Sequence, residues 1–480
     1  KEKNRTTLAT GSHEEPAINP SNFPTPELPP RLPLLALDSN PTANPRSPLL
    51  AAMEDAAVEE AEVSGAGEFA PALVAAHPLG NSVAVAVGPE LRVFDLKGGC
   101  AVSLSDDSGG CSHSDAIRAI SFSADGALFA SAGDDKLVKI WKTDSWRCIQ
   151  TITSEKRVSA VAISKDGLYV TFADKFGVIW LVTVGEHGGG QVSSDNKPVS
   201  LYGHYCSIIT SMKFSPDGRF IATADRDFKI RVTSFPKNPI KGAPEIQSFC
   251  LGHTEFVSSI AFTSHSGGSS FLLSGGGDSS VRLWDYITGC LLDTYEVKDK
   301  VGEQPNETED SNLAIADLCL TNDDSLVAVA IQSLNGIMLL ACDLVAKKLS
   351  FLKVITTEKS YIPTSLAYSS SADLLWTVMG ASNMPNQAAS QLLTRVRIIP
   401  RSQKDLSADP AVLEDSEVPH GEKLLLALQG SLDASKQEEV LAAVLAALRV
   451  SMHKMLVKKN YSEERREQRK RGRNDKKIKK

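Results

Sequence analysis

Two histidines stand where their neighbours could make them reactive. His204 and His253 each follow a glycine, and each precedes a hydroxyl and a carboxylate at similar spacing: Thr223 and Asp227 for the first, Ser274 and Asp278 for the second. An imidazole near a hydroxyl and a carboxylate is the raw material of a general base or a metal ligand. The run Gly275-Gly276-Gly277-Asp278 has the look of a phosphate-binding loop. It leads into a β-rich run, however, so no helix N-terminus is available to bind an anion, and a tight turn accounts for it better. The chain contains no G-x-S-x-G, no H-E-x-x-H and no dinucleotide fingerprint. Neither a catalytic residue nor a metal site is expected.

Two charged stretches offer binding rather than chemistry. In Asp225-Arg226-Asp227-Phe228-Lys229-Ile230-Arg231, Lys229 and Arg231 alternate with Ile230 and Val232. They therefore share one face of a strand, while Arg226 projects from the turn before it. Arg231 is in phase with Lys139 and Arg282, so a basic residue there is also a preference of the repeat; Arg226, Phe228 and Lys229 have no such counterpart. The second stretch is the tail, where residues 451–480 hold 13 Lys/Arg against 4 Asp/Glu. Its densest part, with Arg465, Arg466, Arg469, Lys470, Arg471 and Arg473, suits RNA phosphates through strong, sequence-independent and salt-sensitive attraction. Tyr461 is the tail's single aromatic, so base stacking is not expected. Nuclear import and general RNA affinity fit this composition equally well.

The elements that position these residues follow from a repeat. Gly203-His204 and Gly252-His253 lie 49 residues apart and Asp227 and Asp278 lie 51 apart. Asp135, Asp174 and Asp278 each precede a tryptophan by six residues, at Trp141, Trp180 and Trp284, with Thr233 at that place after Asp227. Asp125-Gly126, Asp166-Gly167 and Asp217-Gly218 lie eight to ten residues before a turn aspartate, where a hairpin needs left-handed backbone. A period of this size, with Gly-His and Trp-Asp as its punctuation, predicts an all-β, seven-bladed WD-repeat β-propeller. In that setting the histidines belong to buried braces in which imidazole, hydroxyl, carboxylate and indole are joined by hydrogen bonds. By phase the sets are His253, Ser274, Asp278, Trp284 and His204, Thr223, Asp227, Thr233.

Composition sets the limits of the domain. The chain has 480 residues, 42% hydrophobic and 23% charged, with a net charge of −7, enough for a large core with flanking segments. Ten prolines in residues 1–52, followed by an acidic stretch, predict a disordered N-terminal segment over 1–66. Met53 is expected to be the native start; Glu14, Glu15 and Glu27 argue against a transit peptide. The propeller is predicted over 67–403, a linker over 404–433, and a C-terminal amphipathic helix with the basic tail over 434–480. Ser435 and Glu438 form a capping box for that helix. The eight cysteines include no C-x-x-C pair, which argues for reduced thiols, and no apolar run is long enough to cross a bilayer.

Three motifs in this order and phase, ADKFG at 173–177, TADRDFKIRV at 223–232 and SFCLGHTEFVS at 248–258, resemble the non-catalytic WD-repeat subunit of the tRNA (guanine-N7-)-methyltransferase. The resemblance covers roughly residues 113–295. It implies a heterodimer whose separate catalytic subunit binds S-adenosylmethionine and methylates N7 of a variable-loop guanosine in tRNA. It also implies a nuclear protein with no cofactor of its own and with its C-terminal region near the tRNA. Carried over by position, Asp174, Lys175, Arg226, Asp227, Phe228, Lys229 and Arg231 are the partner-binding candidates. Reversing the charge of Lys229 and Arg231 together is expected to dissolve the complex and spare the propeller. The family commonly has glutamate where this chain has Phe228, so an ion pair made there is absent. A general WD-repeat scaffold, such as a ubiquitin-ligase substrate receptor or a chromatin adaptor, is the alternative; an RNA-binding protein acting alone through its tail is a third reading.

Overall fold

The computed structural model describes residues 70–106, 112–185, 197–204, 207–263, 271–298, 313–332, 334–357, 361–369, 371, 373–382, 393–400 and 412–429. The predicted capping box, the amphipathic helix after it and all six tail cations lie outside them, as do residues 1–69.

Seven sheets form the seven blades predicted: blades 1 to 6 are antiparallel meanders of strands a to d from the axis outward, blade 2 adding Ser105–Asp106 in parallel at its outer edge, and blade 7 has strands a to c with Ala70–Pro71 paired to its second strand. The inner strands are Leu73–Ala76, Ile117–Phe122, Val158–Ile163, Ile209–Phe214, Val257–Phe262, Ile315–Leu320 and Ser365–Ser369. Each packs on the next, and the last packs on the first, so the ring is closed. The second strands are covered on both faces by neighbouring blades, which is why they read as unbroken apolar runs. Ser82–Val87 and Leu326–Ile331 are buried at every position. The outermost strands touch solvent and look different: Cys290–Glu296 has no fully buried residue.

A bulge recurs at one place in the inner strands of blades 2 to 6, at Arg118, Ser159, Thr210, Ser258 and Ala316. The extra residue disturbs the ladder locally. In three of these blades its hydroxyl bonds a second-strand carbonyl, as Ser159 Oγ does to Ala173 O and Ser258 Oγ to Gly275 O at 3.0 Å. Asp317 follows the last of these bulges and ties three blades together, accepting from Ser259 Oγ at 2.9 Å, Ser365 Oγ at 3.0 Å and Leu366 N at 2.9 Å. Burial still raises its pKa against those bonds and against the charge of Lys213.

The two ends of the ring are stitched by backbone. Ala70 and Pro71 pair with Ser382 and Ala381 of blade 7, and Ala72 N donates to Gly380 O at 2.7 Å. Beyond the last strand, Leu393–Pro400, the chain returns along the outer edge, where Leu413 N bonds Ile398 O, and forms the helix Glu422–Gln429. Leu424, Leu425 and Leu428 of this helix pack with Phe94 of blade 1 and Trp376, Val396 and Ile398 of blade 7. Arg92 Nη1 donates to Leu428 O at 3.1 Å and Val396 N to Gln429 Oε1 at 3.1 Å. The stretch assigned to a linker therefore contains a clasp over the seam.

The braces hold the turns. In blade 5, His253 Nδ1 bonds Asp278 at 2.9 Å, Nε2 bonds Ser274 Oγ at 2.7 Å, and Trp284 Nε1 donates to Ser274 Oγ at 2.8 Å, as predicted. Blade 2 repeats the set with His113, Ser131, Asp135 and Trp141. In blade 4 the set needs correction: His204 bonds Thr223 at 2.8 Å but takes Asp225, at 2.9 Å, in place of Asp227. Blade 3 departs further. Its Trp180 pairs opposite Phe172, two positions earlier on the strand than Trp284, and donates directly to Asp174 at 2.8 Å.

Burial pushes the Asp278 carboxyl up, but the bond and charge of His253, the Ser280 hydroxyl and the Thr254 N–H outweigh it and hold the pKa at about 2. A depressed carboxylate contributes stability above its unfolded pKa and loses it as pH falls through the folded value, here about 2 kcal/mol by linkage. Denaturant unfolding of Asp278→Asn should show a loss of that order at pH 7 and a shallower decline than wild type between about pH 4 and pH 2. An unchanged acid limb would mean that Asp278 does not carry the brace.

Candidate partner-binding surface

The turns between strands b and c of blades 3 and 4 carry the singled-out residues and share one construction. Ala173 pairs with Ile179 and Ala224 with Ile230, which sets Asp174 equivalent to Asp225, Lys175 to Arg226, Phe176 to Asp227 and Gly177 to Phe228. In each turn the first aspartate is buried, and its Oδ1 accepts two backbone N–H groups. Asp174 takes those of Phe176 at 2.9 Å and Val178 at 3.1 Å, and Asp225 those of Asp227 at 2.8 Å and Lys229 at 3.1 Å. A short acceptor bonding the backbone two residues ahead fixes such a turn. Burial raises the Asp174 pKa against the Trp180 and backbone bonds. Asp174 is thus a support within the turn, with both oxygens engaged, and offers no contact surface.

Arg231 also departs from its predicted role. Its guanidinium lies 4.3 Å over the Tyr202 ring, Nε donates to Thr233 Oγ1 at 3.0 Å and Nη1 to Gly203 O at 3.3 Å. Tyr202 and Gly203 belong to the outer strand of blade 3, so Arg231 fastens blade 4 to its neighbour. Burial lowers its pKa, with Tyr202 opposing. The in-phase Arg282 is similarly engaged, through Ser280 and Asp278, and Lys139 is buried. The basic preference at this position belongs to the architecture.

What remains for a partner is the rim. Phe228 and Lys229 are exposed; Lys175, Phe176, Arg226 and Asp227 are half-buried on the same two turns. Lys175 N donates to Arg157 O and Arg226 N to Ile208 O, each at 2.9 Å, which holds both turns against the inner strands. Lys156 sits 5.2 Å over the Phe176 ring. Across from Lys229 and Arg231, on the outer strand Ile246–Leu251, stand Leu251 and Phe249, exposed by 60% and 41%. With Phe228 at 42% they make an apolar patch around a lysine. Sequence reading had not marked Phe249 or Leu251, although their alternation with the buried Cys250 places both on the opposite face. Burial pushes the Cys250 thiol up to about 12, so it is inert.

Phe228 adopts φ +71°, the left-handed region, where Gly177 has +82°. Left-handed backbone costs a residue with a Cβ roughly 1–2 kcal/mol. Among the described residues no group of three or more His, Cys, Asp or Glu could hold a metal, and no helix is long and apolar enough to cross a membrane.

These placements separate two cations that the sequence paired. Arg231→Glu should destabilise the propeller by about 1–2 kcal/mol through loss of its contacts to Tyr202, Thr233 and Gly203 at a half-buried site, whereas Lys229→Glu should change stability by less than about 0.5 kcal/mol. Thermal or urea unfolding of the two single variants decides it; equal stabilities would contradict the role given to Arg231. The double reversal predicted from sequence would confuse lost binding with lost fold.

Residues 191–392 match the family described as the tRNA methyltransferase TRM82 WD40 domain, and residues 109–142 match the WD domain, G-beta repeat. A Danio rerio protein named tRNA (guanine-N(7)-)-methyltransferase non-catalytic subunit wdr4 is 36% identical over 234 residues, 48% of this chain and 52% of its own length. Its Homo sapiens namesake is 40% identical over 181 residues, 37% of this chain and 40% of its own. The chain thus spans about half the length of the curated relatives it matches. The solved structure of U3-55K covers 70% of this chain and 100% of its own at a TM-score of 0.52 and 19% identity, a likeness of fold alone. Over about half of its length, this chain is similar to the non-catalytic WD-repeat subunits of tRNA (guanine-N7-)-methyltransferase, the family its turn motifs resemble.

Proposed function

We propose that this protein is the non-catalytic subunit of a heterodimeric tRNA (guanine-N7-)-methyltransferase. It holds a separate catalytic subunit, which binds S-adenosylmethionine, in an active form and helps present tRNA for methylation. The observation that carries this reading is the pair of equivalent turns on blades 3 and 4, bearing Lys175, Arg226, Phe228 and Lys229 beside an apolar strip. The names of the curated relatives support it.

The chemistry of the described residues agrees with a scaffold. His113, His204 and His253 are each bonded through both ring nitrogens to a carboxylate and a hydroxyl of the propeller. A base whose lone pair is already committed inside the fold cannot reach a substrate proton. A rigid ring instead offers a preformed surface, and little ordering entropy is lost when a partner docks on it. In this reading Arg465, Arg466, Arg469, Lys470, Arg471 and Arg473 lie toward tRNA or direct the protein to the nucleus.

Reconstitution tests the proposal. The purified chain alone should transfer no methyl group to tRNA, and the catalytic subunit alone should be at least roughly tenfold slower than the two together. Lys229→Glu should weaken the complex by about tenfold or more, since reversing a contact charge costs a kcal/mol or more. Methylation by this chain unaided, or co-purification with ligase or histone-complex subunits in place of a methyltransferase, would overturn the assignment.

A further inference from the structure

The turn of blade 4 carries two unfavourable features. The first is Phe228. The same turn position is left-handed in blades 2, 3 and 5, where Lys136, Gly177 and Ser279 occupy it at φ +65°, +82° and +59°. A large aromatic at such a position is a conformational outlier, and residues held in this way gather at binding sites. Its ring is also 42% exposed, so burial within the fold does little to compensate. The second feature is Arg226, whose Nε is shielded from solvent and has no hydrogen-bond partner among the described residues. A desolvated, unpaired donor of this kind is a cost to the free chain.

Phe228 immediately precedes Lys229, which pairs opposite the exposed Leu251 of the outer strand, and the exposed Phe249 stands two residues further along that strand. Taking the preceding functional reading as given, we infer that the catalytic subunit presents an apolar pocket with a carboxylate on its rim. Phe228 fills the pocket, and the half-buried Arg226 guanidinium, through its terminal nitrogens, donates to the carboxylate. The left-handed backbone aims the ring outward from the turn. Interface aromatics and arginines that enter desolvated pockets carry most of the affinity of such complexes. The occupant is a protein rather than RNA because the exposed side chains of Phe228, Phe249 and the aliphatic Leu251 suit apolar burial. Phosphate, by contrast, would call for the cation alone.

The test measures the Kd of the full chain for the catalytic subunit at about 0.1 M and about 0.5 M salt, since added salt screens exposed charge pairs far more than a buried apolar contact. Phe228→Gly keeps the backbone without strain, so it should melt at or above the wild-type temperature and bind about 30-fold or more weakly, by the same factor at both salt concentrations. Phe228→Leu should lose about tenfold or less. Arg226→Gln should also bind about tenfold or more weakly, by the penalty for leaving the partner's carboxylate unpaired. Wild-type affinity in Phe228→Gly overturns the anchor, and wild-type affinity in Arg226→Gln overturns the rim carboxylate. If the wild-type chain does not bind the catalytic subunit at all, the functional reading itself fails.

Discussion

Closure of the ring is the constraint on which the rest depends. A blade has apolar residues on both faces of its second strand, as in SVAVAV and LVAVAI, so every blade needs a neighbour on each side. Blades 2 to 6 satisfy this with their neighbours along the chain; the seventh and the first satisfy it only by meeting. The meeting is made by a few backbone bonds from Ala70, Pro71 and Ala72 to blade 7 and by the leucines of the helix Glu422–Gln429. Since an apolar side chain left exposed forgoes about 1.5–3 kcal/mol, opening this seam would cost far more than the bonds that mark it. A closed ring leaves only short, protected strand edges at its axis and has little freedom to bend. The turns of blades 3 and 4 therefore inherit fixed positions from a structure that extends well beyond them.

The repeat made most of this legible. Spacing of Gly-His, Asp-Gly and Trp-Asp landmarks predicts seven blades, and strands even in the irregular sixth and seventh fall where the apolar runs stand. Phase within a blade was harder. Asp225 and Asp227 both satisfy the pattern of a turn carboxylate, and only the hydrogen bonds distinguish them. A signal was present: Asp217 precedes Asp225 by the same eight residues that separate Asp166 from Asp174. Trp180 misled for a related reason, since it lies two positions out of phase and bonds the turn carboxylate directly, where Trp141 and Trp284 bond a strand hydroxyl. The helix over the seam had no landmark at all. Its eight residues, EKLLLALQ, are too short to establish a helical period, and tertiary contact alone fixes them.

Reactive side chains are abundant in this chain and almost all are spent on architecture. The described histidines of blades 2, 4 and 5 brace turns, Cys250 and Cys342 have thiols pushed up to about 12 by burial, and Asp317 ties three inner strands. Each is reactive by type and inert by environment. Residue type alone therefore overstates the catalytic content of a propeller, because the fold uses hydrogen-bonded carboxylates and imidazoles where a larger core would use packing.

The same accounting separates the residues of the blade 4 turn. Asp225 and Arg231 are bonded inward, and their removal would be felt first in the fold; Phe228 and Lys229 face outward, and their removal would not. A surface that stabilised only the free protein would replace Phe228 with glycine, as blade 3 does at Gly177, and would cover Phe249 and Leu251. Retaining a strained aromatic on an exposed apolar strip makes sense where the state under selection is a complex rather than the isolated ring. Stability and recognition are then assigned to different residues of one short segment, with the buried set fixing the geometry in which the exposed set meets its partner.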